Sequence, residues 1–73
     1  METGTVWRWK PRNGTGVIEL DDADSTLVWF HLSHARGDLD ITTIAEGLPV
    51  DVEVEAIPQG EYAYRAKSVH PRD

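Results

Sequence analysis

Apolar and polar residues alternate along several short stretches of this chain, which is the pattern of half-buried β-strands. In the segment 15–20 the apolar members are Ile18 and Leu20, and in the segment 26–32 they are Val28, Phe30 and Leu32. Successive side chains of a strand point to opposite faces of the sheet. Burial of the apolar set therefore predicts an outer face formed by Thr15, Val17, Glu19, Leu27, Trp29 and His31.

Three further segments complete the predicted strands. Residues 3–10 are β-prone, residues 50–55 alternate valines with carboxylates, and residues 62–69 form a last strand whose facing the pattern leaves open. Glycine, proline and asparagine mark the connections, because these residues favour turn conformations. The predicted connections include Pro11-Arg12-Asn13-Gly14, the acidic segment 21–25 and Pro58-Gln59-Gly60.

Several short strands separated by turns, without a convincing helix, predict an all-β fold. Closing the sheet is the natural way for so short a chain to avoid exposed strand edges. We therefore expect a small five-stranded antiparallel Greek-key barrel of the OB type. Residues 1–73 are expected to form a single domain, near the lower size limit for a core without cross-links.

Composition narrows the classes of function. The chain has no cysteine, which excludes disulfides and thiolate metal sites. It has no apolar run long enough to span a membrane and no signal-peptide pattern, so we expect a soluble cytoplasmic protein. The net charge of -6 disfavours phosphate binding in general. However, Arg8, Lys10 and Arg12 cluster beside the predicted outer face, whereas the acidic residues gather elsewhere.

Catalytic and metal-binding patterns are absent from the sequence. No Ser/His/Asp arrangement, phosphate-cradling glycine loop or isolated pair of acids is evident. His31, His34 and His70 lack the spacing of a metal site and have no cysteine partner. We therefore expect neither an enzyme nor a cofactor or metal.

Three motifs resemble those of bacterial cold-shock proteins, and the likeness extends over nearly the whole chain. They are Gly4-Thr5-Val6, Gly14-Thr15-Gly16-Val17-Ile18 and Val28-Trp29-Phe30-His31-Leu32-Ser33. The resemblance implies an OB-type barrel that binds single-stranded RNA or DNA and acts as an RNA chaperone or as a modulator of transcription or translation.

In the family that the chain resembles, exposed aromatic residues of strands two and three stack on successive bases. By position, Trp29 and His31 keep this character. Thr15 and Val17 stand where the family has phenylalanines, and Arg8 stands where it has an exposed tryptophan. Each stacked base contributes about 1–3 kcal/mol, so the missing phenylalanines lower the expected affinity unless other aromatic residues replace them.

Trp7 and Trp9 are the first candidates for that replacement, together with Tyr64. Strict alternation places both tryptophans on the face opposite Val6, whereas a β-bulge would rotate one of them inward. The predicted nucleic-acid-binding residues are Trp7, Arg8, Trp9, Lys10, Arg12, Thr15, Val17, Trp29 and His31.

A second function remains open at this level. A divergent barrel of the same fold would use the tryptophan-rich patch to bind a protein, because Trp is enriched in interface anchors. We expect a monomer in either case. The sequence leaves the choice between RNA and DNA, the base preference and the physiological target undetermined.

Overall fold

The computed structural model describes residues 1–72 and forms a closed barrel with the strand order β1-β2-β3-β5-β4. Its strands are β1 (Glu2–Lys10), β2 (Thr15–Leu20), β3 (Leu27–His31), β4 (Pro49–Glu55) and β5 (Tyr64–Pro71). A short 3-10 helix, Leu32–His34, follows β3. The prediction of a small all-β barrel is confirmed.

Strand orientation is mixed, so the expectation of a fully antiparallel barrel is wrong. β3 and β5 run parallel, with Val28 opposite Tyr64 and Trp29 opposite Arg65. The remaining pairings of β1 with β2, β1 with β4, β2 with β3 and β4 with β5 are antiparallel. A parallel pair requires a long crossover connection, and residues 32–63, which include β4, supply it.

The barrel interior is filled by the alternate apolar residues that the sequence pattern selects. Phe30, Ile18 and Val28 are fully buried at its centre. The valines of β4 differ, since Val50 and Val52 are fully buried whereas Val54 is only partly so. Other members of the core are Val6, Leu20, Leu39, Ile44, Ala66 and Val69.

A β-bulge interrupts β1 at Trp7. Val6 pairs with Ile18 but Arg8 pairs with Val17, so β1 has one extra residue at this point. An extra residue reverses the alternation beyond it. Of the two arrangements that the sequence left open, the structure has the one with a bulge, in which Trp7 is exposed and Trp9 turns inward.

Trp9 packs against the core by stacking on Phe30, with ring centroids 5.6 Å apart and an interplanar angle of 4°. Gly16, its partner on β2, makes room for this stack. A Cβ atom at Gly16 would lie 2.7 Å from the Phe30 ring and 2.6 Å from the Arg8 carbonyl oxygen. Glycine is thus required here by close approach of the neighbouring atoms.

Candidate nucleic-acid interface

The outer face of the barrel carries two rows of side chains that run across the strands. Strand register defines the rows, because directly paired residues in neighbouring strands project from the same face. The rows are Arg8–Val17–Trp29–Arg65 and Lys10–Thr15–His31. The cations Arg8 and Lys10 of β1 are therefore separated from Trp29 and His31 of β3 by Val17 and Thr15 of β2.

Trp29 lies in an aromatic cluster with two histidines. Its ring centroid is 6.3 Å from that of His31, with the planes tilted by 35°, and 6.1 Å from that of His34 in an edge-to-face arrangement. All three side chains are half-buried. The predicted pair Trp29 and His31 is thus extended by His34, which sequence reasoning did not select for this site.

Hydrogen bonds hold both imidazoles in position at the 3-10 helix. His31 Nδ1 accepts the backbone N–H of Ser33 at 3.0 Å, which makes His31 the N-cap residue of the helix. His34 Nδ1 accepts the backbone N–H of His31 at 3.1 Å. In each neutral ring the proton therefore resides on Nε2. The rings are held in place by backbone contacts, which reduces the entropy that a stacking ligand would have to remove.

Partial burial lowers the pKa of His34, and the nearby groups His31, Arg65 and Arg36 lower it further, whereas Glu55 opposes the shift. Since the ordinary pKa of 6.5 is already below 7 and the shift is downward, His34 is mainly neutral at pH 7. A neutral imidazole presents an aromatic face to a base without adding charge to the platform.

A groove of about 300 Å³ lies between this outer face and the β4–β5 connection. It brings together six predicted residues, which are Trp7, Arg8, Lys10, Thr15, Val17 and Trp29. Gly16, Glu61 and Tyr62 complete its lining. Most of the predicted site is therefore one continuous concave surface.

The other predicted residues lie outside the groove lining. Trp9 packs on the core, so its assignment to the binding face is wrong. Arg12 is exposed in the turn between β1 and β2. His31 extends the surface in the second row, where it pairs with Thr15.

Val17 faces outward, as alternation predicts, but its side chain is only 5% exposed. It lies outside the core cluster, and its neighbours in the row are Arg8 and Trp29. Its burial therefore comes from larger side chains of the outer face. Val17 forms the floor of the groove, and the neighbouring side chains form its walls.

Arg8 and Trp7 form a cation–π pair. The guanidinium carbon of Arg8 lies 4.0 Å from the Trp7 ring centroid, and Arg8 Nη1 donates to the Trp7 carbonyl oxygen at 3.1 Å. Within residues 1–72, no ion pair joins Arg8, Lys10 or Arg12 to a carboxylate. These positive charges are therefore available to an anionic ligand.

Glu61 and Tyr62 are groove residues that the sequence analysis missed. They belong to a tight turn in which Gln59 N–H donates to the Tyr62 carbonyl at 2.8 Å and Tyr62 N–H donates to the Gln59 carbonyl at 3.0 Å. Gly60 has a φ of +60°, which glycine adopts without strain. The Pro58-Gln59-Gly60 signal predicts the turn, but only the pairing of β3 with β5 determines what it contacts.

Comparison with protein-family models and with curated proteins finds no match to this chain. Among residues 1–72, no group of three or more His, Asp or Glu side chains is arranged to hold a metal ion. No helix in the same range is both long and apolar enough to cross a membrane. Function is therefore inferred from the geometry of the outer face.

Proposed function

We propose that this protein binds single-stranded RNA or DNA by stacking bases on the outer face of β1, β2 and β3. The observation that carries the proposal is the half-buried cluster of Trp29, His31 and His34 beside the cations Arg8 and Lys10. Single-strand binding surfaces combine these two features, aromatic faces for bases and positive charge for phosphates.

The two rows suggest how a strand lies on the protein. Bases stack on Trp29 and His31, which are neighbours along the outer face of β3. Phosphates approach Arg8 and Lys10 at the β1 side, and Arg12 in the adjoining turn extends the positive edge. Stacking is tolerant of sequence because every base has an aromatic face, so we propose broad rather than strict specificity.

The overall negative charge is compatible with this proposal because the carboxylates of β4 are partnered. Glu55 pairs with Arg65 at 2.9 Å, and Glu53 accepts a hydrogen bond from Ser68 at 2.8 Å. Exposed charges farther away than the Debye length, about 8 Å at physiological salt, are largely screened. Phosphate attraction therefore depends on the charges that line the groove, which are the cations Arg8 and Lys10 and the carboxylate of Glu61.

The cold-shock resemblance of the strand motifs supports the same proposal. Trp29 and His31 retain the stacking character expected at their positions, and the small all-β barrel agrees with the expected fold. On this basis we propose a role as an RNA chaperone or as a modulator of transcription or translation.

A protein-interaction module is the second candidate, and the exposure of Trp7 and Tyr64 favours it. Large exposed aromatic residues anchor protein interfaces as readily as they stack on bases. The two candidates differ in their dependence on salt. Phosphate neutralisation releases counterions, so the logarithm of the affinity for a nucleic acid falls linearly with the logarithm of the salt concentration.

Titration with short oligonucleotides at several salt concentrations tests the proposal, with tryptophan fluorescence as the signal. Replacing Arg8, Lys10 and Arg12 with Gln should weaken binding to all sequences similarly. It should also flatten the slope of log affinity against log salt by about two units, because each single-strand phosphate contact contributes about -0.7.

Lys10→Gln and Lys67→Gln form a matched pair for this experiment, because each removes one exposed ammonium group. Lys10 lines the groove, whereas Lys67 lies in β5 outside its lining. Only Lys10→Gln should flatten the slope, by about 0.7. Absence of oligonucleotide binding at low salt, or an unchanged slope in the triple variant, would favour the protein-interaction module.

A further inference from the structure

A second groove, of about 450 Å³, adjoins the first. Its walls include Trp7, Leu27, Tyr62 and Tyr64, so it is mainly aromatic and apolar. Trp7, Glu61 and Tyr62 line both grooves, which makes them the junction of one continuous surface. A strand that lies along the first groove can therefore extend into the second.

The aromatic side chains of the second groove are open to a ligand. Trp7 is 37% exposed and Tyr64 is 39% exposed. Arg8, whose guanidinium lies over the Trp7 ring, lines the first groove but not the second. A base in the second groove can thus approach Trp7 while Arg8 remains part of the first groove.

Glu61 gives this junction a chemical preference. It is exposed at the tip of the tight turn that Gln59 and Tyr62 close with two backbone hydrogen bonds. An ionised carboxylate only accepts hydrogen bonds, and it repels phosphate. A nucleotide bound at the junction must therefore present hydrogen-bond donors of its base to Glu61.

Guanine meets this requirement better than the other bases. Its Watson–Crick edge carries two adjacent donors, N1–H and the N2 amino group, which match the two oxygens of a carboxylate. Adenine and cytosine place a ring acceptor beside their amino donor, and uracil or thymine places its single N–H between two carbonyl acceptors. Single-stranded bases are recognised in this way, by stacking on an aromatic side chain and by hydrogen bonds to an exposed edge.

We infer that Trp7, Glu61 and Tyr62 form a guanine-selective subsite at one end of the nucleic-acid interface. This inference rests on the proposed single-strand binding and deepens it. The phosphates lie toward Arg8 and Lys10, and the guanine edge lies toward Glu61. The cations line only the first groove and the carboxylate lies where the two grooves meet, and this separation of charge orients the nucleotide.

Oligothymidylates that carry one guanine, hypoxanthine or adenine at either end test the subsite. The guanine strand should bind about tenfold more tightly than the adenine strand, which is the discrimination that a bidentate base contact provides. Hypoxanthine lacks the N2 amino group and should give an intermediate affinity. Glu61→Gln should lose most of the preference, because its amide offers one acceptor oxygen in place of two, whereas the affinity for plain oligothymidylate should rise, because a carboxylate that repels phosphate is removed.

Glu2→Gln is the matched control, because it removes the same charge at the start of β1, outside both grooves. It should keep the guanine preference. Equal affinity of the wild type for all three strands, with salt-dependent binding intact, would overturn the subsite and leave the proposed function standing. A guanine preference that survives in Glu61→Gln would overturn the role of Glu61, and absence of binding to every strand would overturn both proposals.

Discussion

The outer face of β4 and the outer face of β1–β3 use their charges differently. On β4 every carboxylate has a partner within the protein. The contacts are Asp51 with Arg72 at 3.6 Å, Glu53 with Ser68 at 2.8 Å and Glu55 with Arg65 at 2.9 Å. These groups link β4 to the end of the chain and to β5, so their interactions contribute to the stability of the barrel.

On the β1–β3 face the cations and the aromatic side chains are available to a ligand. Trp29 and His31 are half-buried, and within residues 1–72 Lys10 is joined to no carboxylate. Polar groups that are already paired contribute to the stability of the folded state, whereas unpaired cations near aromatic side chains contribute to ligand binding. Substitutions on the two faces should therefore separate effects on stability from effects on affinity.

Trp9→Ala should have the largest effect on stability, because Trp9 stacks on Phe30 and packs against the core. We expect the free energy of unfolding to fall by about 3 kcal/mol, as in other truncations of large aromatic core residues. Chemical denaturation measures this change, and Trp9→Phe, which keeps a stacked ring, should lose less. Wild-type stability combined with weaker oligonucleotide binding would show that Trp9 belongs to the outer face.

Arg72→Ala should lower the free energy of unfolding by about 2 kcal/mol in chemical denaturation, without changing the affinity of the folded protein. The Arg72 guanidinium donates to the carbonyl oxygens of Gly4 at 2.8 Å and Val50 at 3.1 Å, and it pairs with Asp21 at 3.2 Å. Charge-assisted hydrogen bonds of this kind are costly to remove.

Arg12→Ala is the control for Arg72→Ala, because Arg12 is an exposed arginine at the proposed interface. Its stability should stay within about 0.5 kcal/mol of the wild type, and its affinity for single strands should fall. Equal losses of stability in the two variants would remove the distinction between the two faces.

Thr15→Phe should tighten binding by about fivefold, near the lower end of what one stacked base contributes. Thr15 lies between Lys10 and His31 in the second row, so a phenyl ring there would extend the stacking surface. Thr5→Phe adds the same apolar area on β1 opposite Glu19, away from the groove, and should leave the affinity unchanged. Equal tightening by both substitutions would point to nonspecific apolar contact.

The smallest expected effect is a loss of stability as the pH falls below about 6.5. The folded-state pKa of His34 lies below its ordinary value, so the unfolded chain takes up the proton first and is stabilised relative to the folded state. Protonation also removes the acceptor for the His31 backbone N–H. His34→Gln should flatten this part of the stability profile, as measured by denaturation between about pH 7 and pH 5.

The loss of stability at still lower pH has a different origin, in two carboxylates. Hydrogen bonds from Thr26 lower the pKa of Asp22, and those from Thr42 lower the pKa of Asp40. Their contributions are present above the ordinary value of 3.8 and are lost as the pH falls through the folded-state values. If the stability of His34→Gln still falls between pH 7 and pH 5, a group other than His34 causes the loss of stability in that range.

Alternation predicted the parts of the fold that depend on one strand at a time. Val28 and Phe30 are buried and Trp29 faces outward, because successive side chains of β3 point to opposite faces of the sheet. The bulge in β1 has no comparable sequence signal. One extra residue at Trp7 was enough to reverse the facing of Trp9.

The sequence pattern also does not predict features that depend on contacts between distant segments. The parallel pairing of β3 with β5 brings the 59–62 turn to the groove, and this places Glu61 beside Trp7. Val17 was correctly placed on the outer face, but alternation carries no information on the size of neighbouring side chains. Its burial depends on Arg8 and Trp29, which belong to other strands.

Trp29→Ala tests the central claim most directly, with binding to a labelled single strand and denaturation measured on the same protein. Since Trp29 is half-buried on the outer face, affinity should fall about tenfold while the free energy of unfolding falls by less than about 1.5 kcal/mol. Trp29→Phe, which keeps an aromatic face, should recover most of the affinity. A loss of about 3 kcal/mol or more in stability, with unchanged affinity of the folded protein, would contradict the account.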